Sequence, residues 1–205
     1  MSLSIPNRVV LFDYGEVISR APSDEDRAAL VAVAAVPAKP FWNSYNEHRD
    51  SLDRGDLAVT EYWRLIGREL GVTWGAADIQ RLWAADFRSW TSVEPGTIEL
   101  LEELHEGGTR VAVLSNAGFD FASPLRASPM ARFYERVFVS AELNLLKPEP
   151  AIYLAAANGL GIAIDQLVFI DNKRVNTDAA AALGATVHHF TGVHGLREFL
   201  TALST

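Results

Sequence analysis

The segment VVLFDYGEVIS (residues 9–19) runs two valines, a leucine and a phenylalanine straight into Asp13, so a charge stands where a buried strand ends. Three later apolar runs lead to polar groups in the same manner. Ser115 and Asn116 follow TRVAVL (109–114), Lys147 comes a few residues after the weaker run RVFVS (136–140), and Asp171 and Asn172 follow QLVFI (166–170). Two carboxylates, a hydroxyl, two amides and an ammonium are thus spread over four places in the chain. Local lysines, backbone N–H groups or a metal ion can hold a small anion such as phosphate whatever the global charge. Whether these groups act together depends on the elements that carry them.

Those elements read as an α/β fold. RVVLF (8–12), TRVAVL, QLVFI and ATVHHF (185–190) are short, rich in β-branched residues and suited to buried strands, with RVFVS a weaker fifth. Helical patterns separate the later ones: PEPAIYLAAANGL places Pro150 in a first helical turn, and VNTDAAAAL ends at Gly184, a C-terminal cap glycine. Alternating strand and helix implies a Rossmann-like parallel sheet with helices on both faces. Right-handed crossovers put the C-terminal ends of such strands along one edge, where open α/β folds bind ligands. Asp13, Ser115, Asn116, Lys147 and Asp171 are therefore expected to converge on one crevice.

The first connection breaks the rhythm. Roughly 95 residues separate Phe12 from Thr109, whereas a crossover needs only about a dozen. Within that stretch Tyr62, Leu65, Ile66 and Leu70 follow an i, i+3, i+4, i+8 spacing, and Ile79, Leu82, Trp83 and Phe87 repeat it. This predicts a helical subdomain over residues 19–90, inserted into a core made of residues 1–18 and 91–205. The leucine-rich TIELLEELHE (97–106) belongs to that core, entered through Pro95 and left through Gly107 and Gly108. All five tryptophans (Trp42, Trp63, Trp74, Trp83 and Trp90) fall in or beside the insert. Trp63 and Trp83 lie on apolar stripes, whereas Trp42, Tyr45 and His48 lie off them, and aromatic faces suit sugar rings.

Composition limits the partners. The chain has 205 residues, 49% hydrophobic and 21% charged, with 18 basic residues against 26 acidic and a net charge of -8. That is enough apolar material for one core with a modest insertion. The basic residues are scattered, which argues against nucleic acid or an acidic membrane face as a partner. No window approaches a membrane span, and the N-terminus MSLSIPNR lacks the pattern of a secretory signal. There are no cysteines, which excludes disulfides, thiolate metal sites and a Cys nucleophile and suits a cytoplasmic protein.

The ordered segments FDYGEVI, VLSNAG, LLKPEPAIY and VFIDN resemble the four motifs of the haloacid dehalogenase superfamily. The helical insert corresponds to that family's C1-type cap. The DxG first motif, with SN in the second and KPE in the third, is most similar to the sugar-phosphate phosphatase branch. The resemblance implies a Mg²⁺-dependent phosphatase acting on a small phosphorylated substrate. Asp13 would attack phosphorus and form an aspartyl phosphate. Ser115, Asn116 and the backbone beside them would hold the phosphoryl oxygens, and Lys147 would balance the charge of Asp13 and of the phosphate. Mg²⁺ would be held by Asp13, the Gly15 carbonyl and Asp171.

Two positions depart from the pattern. Gly15 stands where these phosphatases usually carry a second Asp that protonates the leaving oxygen, and Asn172 stands where a second acid is common. A substrate whose leaving oxygen is weakly basic, such as an anomeric sugar phosphate or an acyl phosphate, would need that acid least. Glu16 and residues of the cap are candidates to replace it. Two other readings remain: a metal-free 2-haloacid dehalogenase, in which the same Asp attacks carbon, and a phosphate-binding protein on this fold whose catalysis has decayed. Asp178 is a secondary metal candidate, Asn176 reads as a helix-face residue, and His188 and His189 are given no role.

Overall fold

The computed structural model describes residues 2–205. Five parallel strands, β1 (Val9–Phe12), β2 (Arg110–Ser115), β3 (Arg136–Val139), β4 (Leu167–Asp171) and β5 (Thr186–His189), form one sheet in the order β3-β2-β1-β4-β5. Between β1 and β2 lie six helices: α1 (Asp24–Ala34), α2 (Ala38–Glu47), α3 (Arg49–Arg54), α4 (Val59–Glu69), α5 (Ala76–Ser89) and α6 (Pro95–Glu106). Then come α7 (Phe119–Ala127), the single turn α8 (Ser140–Leu143), α9 (Pro150–Leu160), α10 (Arg174–Ala182) and α11 (Val193–Leu203). None of the described helices is long and apolar enough to cross a membrane.

Alternation along the strands divides the core between two faces, as their period of two requires. Val10, Phe12, Val113 and Ile170 face α6, α7 and α11 through Leu100, Phe121 and Leu196. Val9, Leu11, Leu114 and Phe169 face the other way, onto Ile152, Tyr153 and Ala156 of α9 and Ala180 of α10. All four residues of β1 are buried because covered parallel strands are apolar on both sides.

The chain winds outward from β1 to β2 and β3 on one side and to β4 and β5 on the other, so the order reverses between β1 and β4. Such a switch point opens a crevice beyond the strand ends. Phe12 pairs with Val113 and with Ile170, which brings Asp13 level with Asp171 across that crevice. Three boundaries differ from the sequence expectation. Ser115 and Asp171 are the last residues of their strands rather than the first beyond them, because each still pairs in the ladder, Ser115 with Val139 and Asp171 with His189. Ser140, read as the end of a strand, instead begins α8.

Helices α1 to α5 pack around an apolar cluster of their own, with Leu30, Phe41, Tyr62, Trp63, Ile66 and Leu82 at its centre. The two chain segments that join them to the sheet run side by side. Arg20 N–H donates to the Ser92 carbonyl at 2.7 Å and Glu94 N–H to the Ile18 carbonyl at 2.9 Å. A second attachment lies at α3, where the Ser140 hydroxyl donates to the Asp53 carbonyl and Arg54 pairs with Glu149. Gly55 closes α3 at φ 88°, and a Cβ there would lie 2.8 Å from the Ala141 carbonyl oxygen. Only glycine satisfies both the turn and that close approach.

Candidate active site

Asp13 leaves β1 at the centre of the sheet, its N–H donating to the Ile170 carbonyl at 2.8 Å. Its Oδ1 accepts from Tyr14 N–H at 2.7 Å and lies 2.7 Å from Lys147 Nζ. Lys147 reaches it from the turn after α8 and also donates to Asp171 Oδ2 at 2.8 Å and to the Leu114 carbonyl at 3.1 Å. The lysine backbone is clamped from both sides by Asn116: Asn116 Oδ1 accepts from Lys147 N–H at 3.0 Å, and Asn116 Nδ2 donates to the Lys147 carbonyl at 3.0 Å. Asn116 therefore fixes the ammonium as well as lining the cavity.

Asp171 is wholly buried behind the lysine. Besides Lys147 it accepts from Lys173 N–H at 2.7 Å and from Asn176 Nδ2 at 3.0 Å on each oxygen. Asn176, read from sequence as an ordinary helix-face residue, is thus buried and aimed at the site. The first turn of α10 points it back at the end of β4, and a polar residue in the turn after a strand-end acid is the signal that locates it. Asp178, the secondary candidate, is exposed and lies outside the cavity. His189 Nε2 donates to the Asn172 carbonyl at 3.0 Å, a loop contact, and His188 stacks on Phe199.

Two carboxylates around one ammonium leave a net negative charge in a dry place. Burial pushes the Asp13 carboxyl up to about 6; the Lys147 charge opposes this and the Asp171 charge adds to it. For Lys147 burial works against the ammonium, but Asp13 and Asp171 more than offset it, so its pKa rises and it stays charged.

A cavity of about 360 Å³ opens in front of Asp13. Its floor carries Asp13, Gly15, Ser115, Asn116 and Lys147, and no protein donor or acceptor among the described residues engages the Ser115 hydroxyl. The opposite wall comes from α1 to α3, α5 and Trp90. There Arg49 donates from Nε to Asp53 Oδ1 at 3.0 Å and from Nη1 to the Tyr45 hydroxyl at 2.7 Å and to Asp86 Oδ2 at 3.2 Å. The Tyr45 hydroxyl in turn donates to Asp86 Oδ1 at 2.7 Å. Of the off-stripe residues, Trp42 and Tyr45 line the cavity, whereas His48 turns away to Glu69 at 2.6 Å. Sequence reasoning missed Arg49, Asp53 and Asp86, although Tyr45, Arg49 and Asp53 recur every fourth residue.

With this geometry in place, a family model described as haloacid dehalogenase-like hydrolase matches residues 57–185. The chain belongs to the haloacid dehalogenase-like hydrolase family.

Among curated relatives, an (S)-2-haloacid dehalogenase 4A of Burkholderia cepacia is 30% identical over 94 residues, 45% of this chain and 41% of the relative. Phosphoglycolate phosphatase 1 of Pseudomonas aeruginosa is 29% identical over 101 residues, 49% of this chain and 37% of the relative. The chain thus spans about two fifths of the length of the curated relatives it matches. A wild-type HAD family enzyme of Bacteroides thetaiotaomicron, solved with magnesium and inorganic phosphate, shares the fold at a TM-score of 0.69. It is 21% identical, over 88% of this chain and 92% of that one. A HAD-like family hydrolase of Porphyromonas gingivalis superposes at a TM-score of 0.72, 18% identical, over 94% and 97%.

The site offers oxygen atoms with capacity to spare, which is what a hard divalent cation requires. Asp13 Oδ2 and the Gly15 carbonyl carry no hydrogen bond among the described residues, and Asn172 Oδ1 is buried without a donor. A buried acceptor left bare is uncommon and fits a cation or its water. Asp171 differs, since its two oxygens already meet Lys147, Lys173 and Asn176 and would have to release one of them to bind an ion. Glu47, His48 and Glu69 form a second set of ligating groups, but on the surface and outside the cavity.

At Gly15 an added Cβ would meet nothing closer than Trp90 Cζ3 at 3.6 Å, so the missing acid is not a matter of space. Glu16, a candidate replacement, has its carboxylate tied to Asn172 Nδ2 at 3.0 Å.

Proposed function

We propose that this hydrolase is a divalent-metal-dependent phosphatase of small phosphorylated metabolites, with sugar phosphates the leading class. The observation that carries this reading is the Asp13 carboxylate, presented to the cavity with Oδ2 unengaged while Oδ1 is pinned by Tyr14 N–H and a buried lysine. In the proposed reaction Asp13 Oδ2 attacks phosphorus in line. The new O–P bond forms as the ester O–P bond breaks, and the leaving oxygen takes a proton from solvent. Water then attacks the aspartyl phosphate, releasing inorganic phosphate and restoring the carboxylate.

Lys147 keeps two anions tolerable at close range, and the Ser115 hydroxyl donates to a phosphoryl oxygen. Mg²⁺, held by Asp13, the Gly15 carbonyl and Asp171 or Asn172, would neutralise phosphoryl charge. The magnesium and phosphate in the Bacteroides enzyme, and the phosphatase among the curated relatives, support this choice. Helices α1 to α5 serve as the cap of residues 19–90, closing the cavity over the substrate. With Gly15 unable to donate a proton, substrates with good leaving groups, such as anomeric sugar phosphates, are favoured.

The test is phosphate release from a panel of phosphorylated metabolites with Mg²⁺, with EDTA, and with Asp13→Asn. Release that needs both Mg²⁺ and Asp13 supports the reading. Binding of phosphate analogues without any release would favour a decayed binding protein. The engaged Asp171 carboxylate favours a second reading, a 2-haloacid dehalogenase that uses no metal. Halide release that persists in EDTA would establish it.

A further inference from the structure

The cap wall of the cavity bears on which phosphates fit, and the argument rests on the phosphatase reading above. Four aspartates, Asp26, Asp50, Asp53 and Asp86, line the cavity from the cap, against two arginines. Arg49 lies 3.0 Å from Asp53 and 3.2 Å from Asp86, so two carboxylates offset its charge. Arg27 is exposed and lies over the Trp42 ring, 4.4 Å from its centroid. The wall therefore has no excess positive charge with which to receive a carboxylate.

Asp53 points to what the wall does receive. It is 7% exposed, it lines the cavity, and Arg49 holds its Oδ1, yet no donor among the described residues reaches its Oδ2. That oxygen is not among the buried polar atoms left bare, so it keeps access to the cavity, where a ligand N–H or O–H can replace the water that otherwise solvates it. Burial, reinforced by the Asp86 charge and opposed by Arg49, holds the Asp53 carboxyl up at about 6. That is the behaviour of an acid drawn largely out of water, with Arg49 only partly offsetting the cost.

We infer that Asp53 Oδ2 accepts a hydrogen bond from a hydroxyl or ammonium group on the part of the substrate remote from the phosphate. Preferred substrates carry no negative charge at that end. A phosphorylated carboxylate of the same size would set like charge against Asp53 and Asp86 and would leave Oδ2 without its donor.

The experiment measures binding rather than turnover, by calorimetry on Asp13→Asn protein with Mg²⁺ present. The probes are three hexose 1-phosphates that differ only at the distal carbon: glucose 1-phosphate with a hydroxyl, its amino analogue, and glucuronic acid 1-phosphate with a carboxylate. The carboxylate is expected to bind at least about tenfold more weakly than either of the others, a modest fraction of what a like charge at short range costs. Adding Asp53→Asn should close most of that gap. Equal binding of all three, no binding of any, or a gap that survives Asp53→Asn would overturn the inference. A thermal melt shows whether the Asp53→Asn protein is folded; if it is not, the three-ligand comparison on intact Asp53 decides alone. Tight, charge-selective binding by a protein whose wild type releases no phosphate would count against the phosphatase reading and leave this inference standing.

Discussion

Lys147 Nζ donates to Asp171 Oδ2 at 2.8 Å, and this buried contact holds the ammonium 2.7 Å from Asp13. The acid at the end of β4 thereby acts on the acid at the end of β1 through the lysine that lies between them. Removing the lysine leaves two buried carboxylates facing each other. For Lys147→Met we expect loss of measurable phosphate release and destabilisation of about 3–5 kcal/mol, as for other buried ion pairs broken on one side. Thermal melts in EDTA check the second part. Lys147→Arg should not restore activity, because a planar guanidinium cannot replace a compact ammonium between two carboxylates in a site 5% exposed.

Asn176 donates to both Asp171 oxygens. Asn176→Leu keeps the volume and removes those donors, freeing Asp171 to turn from Lys147. Turnover and metal affinity should fall about 10–100-fold, as when a partner that orients a ligand is lost, and the melting temperature should fall too, because a buried carboxylate loses a donor. Calorimetric Mg²⁺ titration of the variant measures the affinity directly, and unchanged affinity with unchanged turnover would remove Asn176 from the site.

Asp53 gives the fold a pH dependence whose sign is fixed. Its pKa is raised from 3.8 unfolded to about 6 folded, so the folded state binds its proton more tightly than the unfolded state does. The resulting loss of stability is absent below the unfolded value, grows between the two and is complete above about 6. Asp53→Asn should therefore be more stable than wild type at pH 8 and lose that advantage near pH 4. Melting curves of the two proteins across that range are the check.

Gly15 has room for a side chain and an ordinary backbone conformation. Gly15→Asp should supply the missing proton donor and raise the rate on primary-alcohol phosphates by about 10-fold or more, below the ~10²–10⁴ that general acid catalysis can reach. On an anomeric sugar phosphate the gain should be small. Equal gains on both substrates would show that the leaving group is not what compensates for the glycine.

The sheet was legible because buried parallel strands announce themselves as short β-branched runs, and their polar ends mark the crevice. Asp13, Ser115, Asn116 and Lys147 line one cavity for that reason. The register was not legible: Ser115 and Asp171 still pair in the ladder, a fact set by neighbouring strands rather than by their own segments. Asn176 was lost because one polar residue on an alanine-rich helix looks solvated until the packing of α10 on β4 and β5 turns it inward. The Arg49, Asp53 and Asp86 group escaped because it joins helices α3 and α5, which sequence spacing cannot bring together.

Asp13 is the group that receives the phosphoryl in the proposed reaction. Wild-type protein turning over a good substrate with Mg²⁺ is quenched and reduced with borohydride, which converts an aspartyl phosphate to homoserine, and the peptides are mapped by mass spectrometry. Homoserine at position 13, dependent on both substrate and Mg²⁺, is the predicted result. Homoserine at another aspartate, or full phosphate release by Asp13→Asn, would contradict it.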